Sequence, residues 1–250
     1  MIFQSVPGYA TKTYQEIFEN RDPRLRQTIM WPGYQKASES EPHRINVDAG
    51  GYPQIKFDPR THDQIGWNLS YTDLPIFRYA EILLIYAEAK AELGTLTQPD
   101  VDRSINLIRK RVGMPEASLA DWLANIDPVQ EARERRIELA CEGFRYNDLM
   151  RWSCGKLMEK APEGSYIPGM GLYDLTGDGQ PDIAFVRNKA EADNIPEEER
   201  KKVTVYTLEG HTIELTEGDK GYIRLKSQVG KFKFEEPKYY YSPIAVDDIT

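Results

Sequence analysis

The sequence has only two cysteines in 250 residues. Cys141 and Cys154 are too few for a disulfide framework or a cysteine-rich zinc site. On a single helix they would lie about 20 Å apart, whereas a disulfide needs about 6 Å between the two Cα atoms. We therefore expect both cysteines to be small, buried hydrophobic side chains.

Long apolar runs and basic runs are also missing. The most apolar stretch, residues 82–86, is bounded by Glu81 and Glu88 and is far shorter than the roughly 20 residues that cross a bilayer. No run of five basic residues occurs, and 40 acidic residues face 32 basic ones, for a net charge of -8. This composition argues against a membrane-spanning helix and against nucleic acid as a partner.

We predict one domain over residues 1–250, mainly α with irregular loops and a small β-hairpin region. Its first segment, residues 1–72, is loop-rich because Pro-Gly, Asp-Pro and Gly-Gly pairs interrupt any periodicity. The second, residues 73–155, has helical periodicity, and the third, residues 156–250, is rich in turns.

The middle segment predicts three long helices. The first is expected over residues 75–93, with Asp73 or Leu74 before the proline at its start, and the second over residues 100–112. The third is expected to begin with Asp127 as its N-cap and Pro128 as its first residue, to break at Gly143, and to resume through residue 152.

The last segment predicts short strands. Residues 203–208 and 211–215 alternate in polarity on either side of Glu209 and Gly210, which is typical of a hairpin. Residues 222–225 are a candidate third strand.

Several motifs resemble, in order and spacing, the RagB/SusD family of outer-membrane nutrient-binding lipoproteins. Flanking residues that also look like family landmarks are Asn20-Arg-Asp-Pro-Arg-Leu25 with Thr28 and Pro32-Gly33, and Tyr239-Tyr-Tyr-Ser-Pro-Ile244. The central motifs are Pro75-Ile-Phe-Arg-Tyr-Ala-Glu-Ile-Leu-Leu-Ile-Tyr-Ala-Glu-Ala89, Ile105-Asn-Leu-Ile-Arg-Lys-Arg-Val-Gly113, Glu134-Arg-Arg-Ile-Glu-Leu-Ala-Cys-Glu-Gly-Phe-Arg145 and Asp148-Leu-Met-Arg-Trp152.

The resemblance implies a SusD-like fold and a binding function. Family members bind oligosaccharides or other nutrients at the cell surface without cleaving them, as lipid-anchored outer-membrane proteins beside a SusC-like TonB-dependent transporter. They also carry a signal, a lipidated cysteine and a half built from tetratricopeptide-like helix pairs, none of which precedes Met1. We therefore expect this chain to be the C-terminal portion of such a protein.

The charged residues of the central motifs are interpreted as structural. Their helical spacing favours ion pairs within and between helices, and no pair of carboxylates stands out as a glycosidase acid and nucleophile. The three histidines are scattered without a metalloprotease or nucleophile motif, so no enzyme is expected. The residues concerned are Arg78, Glu81, Glu88, Glu134, Arg135, Glu138, Glu142, Arg145, Asp148 and Arg151.

Aromatic residues of the first segment are the candidate ligand contacts. Flat rings pack against the apolar faces of sugars, while polar groups at the rim bond to hydroxyls. The candidates, in the loops where family binding residues would fall, are Trp31, Tyr34, Trp67, Tyr71, Tyr14 and Asn68. Trp122 and Trp152 lie in helical patterns and are expected in the core.

A short acidic loop is a candidate structural calcium site. Its oxygen-bearing residues follow the spacing of calcium loops, although position twelve is Phe185 instead of glutamate. An ordinary Asp/Gly turn is the alternative. The candidate ligands are Asp174, Thr176, Asp178, Gln180 and Asp182.

Two other functions stay open from sequence. A helical protein-interaction scaffold would bury the same aromatic residues against another protein and be indifferent to sugars. A glycoside hydrolase is the third alternative and would need one essential carboxylate.

Overall fold

The computed structural model describes residues 8–47, 50–124 and 128–241, but not the side chains of residues 122–124 and 128–132. These residues form two compact units. The first combines the described residues up to Arg21 with Ile29–Thr72 and Met158–Phe234. The second combines Asp22–Thr28, Asp73–Leu157 and the described residues from Glu235. Unit boundaries thus fall close to the predicted segment boundaries, and a single domain over residues 1–250 stays a prediction.

The second unit is helical. Its core is formed by leucine, isoleucine, valine and alanine side chains of three neighbouring helices and the segments around them, namely Leu83, Leu84, Ala87, Leu96, Val101, Ile105, Ile108 and Leu139. Its helices are α2 (Pro23–Thr28), α3 (Tyr79–Glu92), α4 (Gln98–Asp102), α5 (Ile105–Arg111), α6 (Leu119–Ala124), α7 (Pro128–Glu138) and α8 (Arg145–Arg151).

The predicted first helix exists, but its predicted start was wrong. Residue Arg78 is the N-cap of α3, with extended φ and ψ of -143° and 162°, so the helix begins at Tyr79. Its guanidinium is held by Glu138 and Glu142, which fixes the chain before the first turn. Ile76 is exposed and does not share the buried face.

The second predicted helix is two helices. Ser104 has a non-helical backbone, with φ of -125° and ψ of -87°, and it separates α4 from α5. Its buried hydroxyl donates to the Asp100 carbonyl at 2.5 Å. A capping box at the start of α4, formed by Thr97 and Asp100, places the helix start two residues earlier than predicted.

The third helix agrees better with its sequence pattern. Pro128 is the first residue of α7 as predicted, while the predicted cap at Asp127 lies outside the described residues, as does the side chain of Trp122. A break follows, with Gly143 at a φ of 85°, which favours glycine. The resumed helix α8 ends at Arg151.

The first unit is irregular and contains two three-stranded sheets. Its helices are α1 (Tyr14–Ile17), α9 (Lys189–Asp193) and α10 (Glu197–Arg200), and its strands are β1 (Tyr166–Ile167), β2 (Gly171–Tyr173), β3 (Ile183–Val186), β4 (Thr204–Thr207), β5 (Ile213–Leu215) and β6 (Gly221–Leu225). One sheet has the order β1-β6-β5 and the other β2-β3-β4. Strand β3 is buried along its whole length.

The predicted hairpin around Glu209 and Gly210 is wrong. Strand β4 pairs in parallel with β3, whereas β5 pairs antiparallel with β6 in the other sheet. The hairpin is therefore β5–β6, one strand later, and the candidate strand at residues 222–225 is confirmed as part of β6. Alternation of polarity located these strands but did not reveal their partners.

Two further sequence expectations concern membranes and cysteines. No helix within the described residues is long and apolar enough to cross a membrane. The two cysteines form no disulfide, and Cys141 is exposed in the turn after α7, so its predicted burial was wrong. The backbone φ of Cys141 is 64°, a left-handed conformation that occurs in turns.

Candidate functional site

The candidate ligand-binding loop, defined as residues 60–72 of the first unit, is the most exposed aromatic segment of that unit. A 3-10 turn at His62–Gln64 opens it. The Trp67 side chain is 96% exposed and that of Tyr71 is 65% exposed, with Asn68 exposed between them. An exposed tryptophan leaves its flat, apolar faces open to a ligand.

One hydrogen bond orients the tyrosine of this loop. The Tyr71 hydroxyl donates to Asp63 Oδ2 at 2.9 Å. Hydrogen bonds from Thr61 and then from Tyr71 hold the pKa of Asp63 below its ordinary value, so its carboxylate is charged at neutral pH. Sequence reasoning missed Asp63, whose one signal is an acidic residue eight positions before the tyrosine.

Backbone geometry shapes the loop around Trp67. Gly66 has a φ of 131°, a backbone conformation that other residues rarely adopt, so glycine is favoured there. Asn68 adopts a left-handed φ of 58°, a conformation in which asparagine is enriched. Trp67 thus lies between two residues with positive φ.

Three other predicted contact residues lie elsewhere in the first unit. Tyr14 and Tyr34 are each only 8% exposed. The Tyr14 hydroxyl donates to the Gly51 carbonyl at 2.6 Å, and the Tyr34 hydroxyl donates to Asp58 at 3.1 Å. Trp31 is partly exposed and packs edge-on against Tyr34, with ring centroids 6.4 Å apart. Burial of both tyrosines leaves Trp67, Asn68 and Tyr71 as the exposed candidates and Trp31 as a partly exposed one.

The candidate calcium loop is held closed by hydrogen bonds. Both Asp174 oxygens accept backbone N–H groups, from Gly177 at 2.6 Å and Gly179 at 2.9 Å. Buried Asp182 accepts from the N–H groups of Leu175 and Thr176, each at 2.8 Å.

The remaining calcium candidates are the outer residues of the same loop. Asp178 is exposed and accepts from the backbone N–H of Gln180 at 2.7 Å. Within the described residues, no three His, Cys, Asp or Glu side chains form a metal-binding group. These contacts fit an Asp/Gly turn. A carboxylate oxygen that accepts one hydrogen bond can still contact a cation, so a calcium ion at this loop stays a prediction.

The second unit contains a buried cluster of arginines and carboxylates centred on Glu138, here called the Glu138 cluster. The Glu138 side chain is 1% exposed and pairs with Arg24 at 3.0 Å, Arg78 at 2.6 Å and Arg111 at 2.7 Å. Within the described residues, the ion pairs of this cluster join four arginines and four carboxylates, namely Arg24, Arg78, Arg109, Arg111, Asp22, Glu134, Glu138 and Glu142.

A second group of ion pairs surrounds Asp148. Its two oxygens accept from Arg135 Nε at 3.0 and 2.9 Å, and Oδ1 also accepts from Arg151 Nε at 3.1 Å. Arg151 also pairs with Glu88, which accepts from the indole N–H of Trp152 at 2.7 Å. Ion pairs both within and between helices are thus present, as the sequence interpretation expected: Arg151 and Asp148 lie three residues apart on α8. The pairs of Arg135 with Asp148 and of Arg151 with Glu88 join different helices.

These carboxylates are poorly suited to acid–base catalysis. Burial raises the pKa of Glu138, but hydrogen bonds from Arg78 and Arg24 outweigh it, so its pKa lies below the ordinary value. Burial likewise opposes the hydrogen bonds from Arg151 and Trp152 at Glu88, whose pKa is also lowered. A glycosidase acid needs a raised pKa and access to substrate.

One helical unit tied by buried ion pairs and one irregular unit with small sheets and an exposed aromatic loop define a class of α-rich proteins with long loops. The family model described as SusD family (SusD_RagB) matches residues 4–250. The chain therefore belongs to the SusD family.

Known relatives agree with this assignment. SusD-like protein P38 of Formosa agariphila is 32% identical over 138 residues, covering 52% of this chain and 24% of that protein. A SusD-like carbohydrate binding protein of Bacteroides fragilis has a crystal structure with a TM-score of 0.57 at 25% identity, covering 96% of this chain and 42% of that one.

A further solved structure supports the fold. A SusD-like protein of Bacteroides fragilis is 21% identical, with a TM-score of 0.57, and the match covers 93% of this chain and 37% of that one. The chain thus spans less than half the length of the relatives it matches. The fold is SusD-like, with helices predominating and a small β region.

Proposed function

We propose that this chain binds an oligosaccharide or a related nutrient without cleaving it, through the candidate ligand-binding loop. The observation that carries the proposal is the Trp67 ring, which is 96% exposed within a loop that also exposes Asn68 and Tyr71. Indole faces stack on sugar rings, and amide and phenol groups bond to hydroxyls. A carbohydrate-binding relative in the same family supports this ligand class.

The proposal includes a place for the protein in nutrient uptake. Membership of the SusD family supports a role at the cell surface, in a lipid-anchored parent protein that passes its ligand to a TonB-dependent outer-membrane transporter. The absence of catalysis is part of the proposal, and it is supported by the buried, arginine-paired carboxylates of the second unit.

Isothermal titration with a panel of neutral, acidic and sulfated oligosaccharides tests the proposal. For a sugar that binds, we expect Trp67→Ala to weaken affinity at least about tenfold, because a central stacking residue contributes more than 1.4 kcal/mol. Phe232→Ala, which removes another exposed aromatic ring of the first unit, is the control and should leave affinity unchanged.

Two results would contradict the proposal. Absence of binding to every sugar of the panel would reject the ligand class. Binding that survives Trp67→Ala would reject the loop as the site. Product release from any sugar, lost on replacing a single carboxylate, would favour the hydrolase alternative.

A protein-interaction scaffold is the second candidate function, and one observation favours it. Helix α3 is apolar on two sides: Leu83, Leu84 and Ala87 are buried, while Ile82 and Ile85 are exposed. A helix that is apolar all round is typical of a buried helix. Co-purification with a protein partner that is lost in Ile82→Glu, together with indifference to sugars, would support the scaffold.

A further inference from the structure

Three arginines of the second unit form a group apart from the ion-pair network. Arg133 and Arg136 lie one turn apart on α7, and Arg145 is the first residue of α8. Within the part of the chain that the structure describes, none of their side chains has an ion pair or a hydrogen bond. The sequence analysis assigned Arg145 to an ion pair, as it did the other charged residues of the motif. Within the described residues, Arg145 does not form one.

Two of these guanidinium groups are partly withdrawn from water. Arg136 Nε and Arg145 Nη1 are buried atoms without a hydrogen-bond acceptor. A buried, charged donor without an acceptor is costly, and in native structures such a donor often marks an unseen ion or water.

The positive charges of Arg145 and Arg133 also act on Arg136. Burial lowers the pKa of Arg136, and the charges of Arg145 and Arg133 lower it further. Burial also lowers the pKa of Arg145, although Asp148 and Cys154 act in the opposite direction. Like charges that share a partly buried position repel each other unless an anion lies between them.

The neighbouring carboxylate is already occupied. Both Asp148 oxygens accept hydrogen bonds from Arg135, and one also accepts from Arg151. Glu88 likewise pairs with Arg151. Among the described residues, these two carboxylates are therefore already paired with Arg135 and Arg151, and neither is hydrogen-bonded to an arginine of the group.

We propose that Arg136 and Arg145, assisted by Arg133, bind an oxyanion, either a sulfate or a carboxylate group, between α7 and α8. Planar guanidinium groups match both anions because each offers parallel N–H donors to two oxygens. The site belongs to the second unit and is independent of the sugar-binding proposal, since none of its residues lies in the candidate ligand-binding loop. Its ligand is either a free anion or the anionic group of an acidic or sulfated sugar.

Thermal unfolding with sodium sulfate, compared with sodium chloride at equal ionic strength, tests this site. Sulfate stabilises many proteins without binding, so the signature is a saturable rise. We expect the midpoint to rise by about 3 °C at a sulfate concentration tenfold above the dissociation constant, with no matching rise in chloride. Isothermal titration with sulfate measures the same binding directly.

Arginine variants identify the residues. Arg136→Met should lose the saturable rise, and without sulfate its midpoint should equal or exceed that of the parent chain because one repulsive charge is gone. Arg145→Lys keeps the charge but removes the planar fork, and it should weaken sulfate binding about tenfold. Arg200→Met, at an exposed arginine paired with Asp193, is the matched control and should keep the full response.

The outcomes separate clearly. A linear rise with sulfate that is identical in the parent chain and in Arg136→Met would overturn the proposal, as would the absence of heat on titration. If either variant fails to fold, the other variant and the direct titration still decide. Tighter binding of galactose 6-sulfate than of sulfate or acetate would identify a sugar as the source of the anion, and equal affinities would identify the free ion.

Discussion

The candidate ligand-binding loop and the Glu138 cluster use polar side chains in opposite ways. In the loop, Trp67 is almost fully exposed, and one hydrogen bond from Tyr71 to Asp63 orients the neighbouring ring. In the cluster, Glu138 is buried and accepts from three arginines. Groups already bonded to protein have little left for a ligand, whereas exposed rings contribute little to stability. The cluster is therefore suited to stabilising the helical unit, and the loop is suited to the ligand contact that we propose for it.

The largest effect is expected from breaking the cluster. Glu138→Gln removes the carboxylate and leaves the buried Arg24 and the partly buried Arg78 beside a neutral amide. We expect the free energy of unfolding to fall by about 3 to 5 kcal/mol, as when one partner of a buried pair is removed. Urea unfolding followed by circular dichroism measures it. Glu198→Gln, at an exposed glutamate of α10, is the control and should change the value by less than about 0.5 kcal/mol.

Acid should weaken the Glu138 cluster. The pKa of Glu138 is lowered in the folded protein from an ordinary value of 4.5, so the unfolded chain binds protons first as pH falls. The stabilisation is fully present above about pH 4.5 and is lost as pH drops through the lower, folded pKa. Unfolding midpoints measured from pH 7 to pH 3 should show this loss, and the loss should be smaller in Glu138→Gln. A pH-independent midpoint would contradict the assignment.

The acidic loop at Asp174 is intermediate between the candidate ligand-binding loop and the Glu138 cluster. Asp178 is exposed and Asp182 is buried, and both carboxylates accept hydrogen bonds from backbone N–H groups. If calcium binds there, millimolar calcium should raise the unfolding midpoint by a few degrees, and chelation should reverse it. Asp178→Asn keeps an acceptor for the Gln180 N–H but removes a charge, so it should lose the response. No response in the parent chain would leave the loop as a hydrogen-bonded turn.

A matched pair of tyrosine substitutions isolates the effect of burial. Tyr14→Phe removes the donor to the buried Gly51 carbonyl and should lower the free energy of unfolding by about 1 to 2 kcal/mol. Tyr71→Phe removes an equivalent bond in an exposed loop and should cost less than about 0.5 kcal/mol. Urea unfolding of both variants makes the comparison. Equal losses would mean that the loop is as firmly held as the core.

Sequence patterns predicted where the helices lie better than they predicted the first and last residue of each helix. Apolar residues at steps of three and four located α3, because that periodicity follows from local geometry. The late start at Tyr79 depends on contacts between Arg78 and residues 60 to 64 positions away, which no local pattern contains. The same holds for the ion pairs, whose residue types were predicted correctly and whose partners were not.

Local sequence patterns also did not predict which strands pair or which aromatic side chains are exposed. The two strands on either side of Glu209 and Gly210 belong to different sheets, since pairing depends on contacts with distant residues. In the candidate site, Tyr14, Tyr34, Trp67 and Tyr71 all lie in turn-rich sequence, and nothing local distinguishes the two buried tyrosines from the two exposed rings. Burial is a property of the packed unit.

The equal number of arginines and carboxylates in the Glu138 cluster has a consequence for evolution. Because the positive and negative charges of the cluster balance, replacing any single member by a neutral residue leaves one net charge uncompensated, and such a charge is costly where the cluster is buried. Drift at these positions has to proceed through paired or compensated substitutions. Homologues should therefore keep the cluster intact or exchange it as a whole, while positions such as Trp67 change independently.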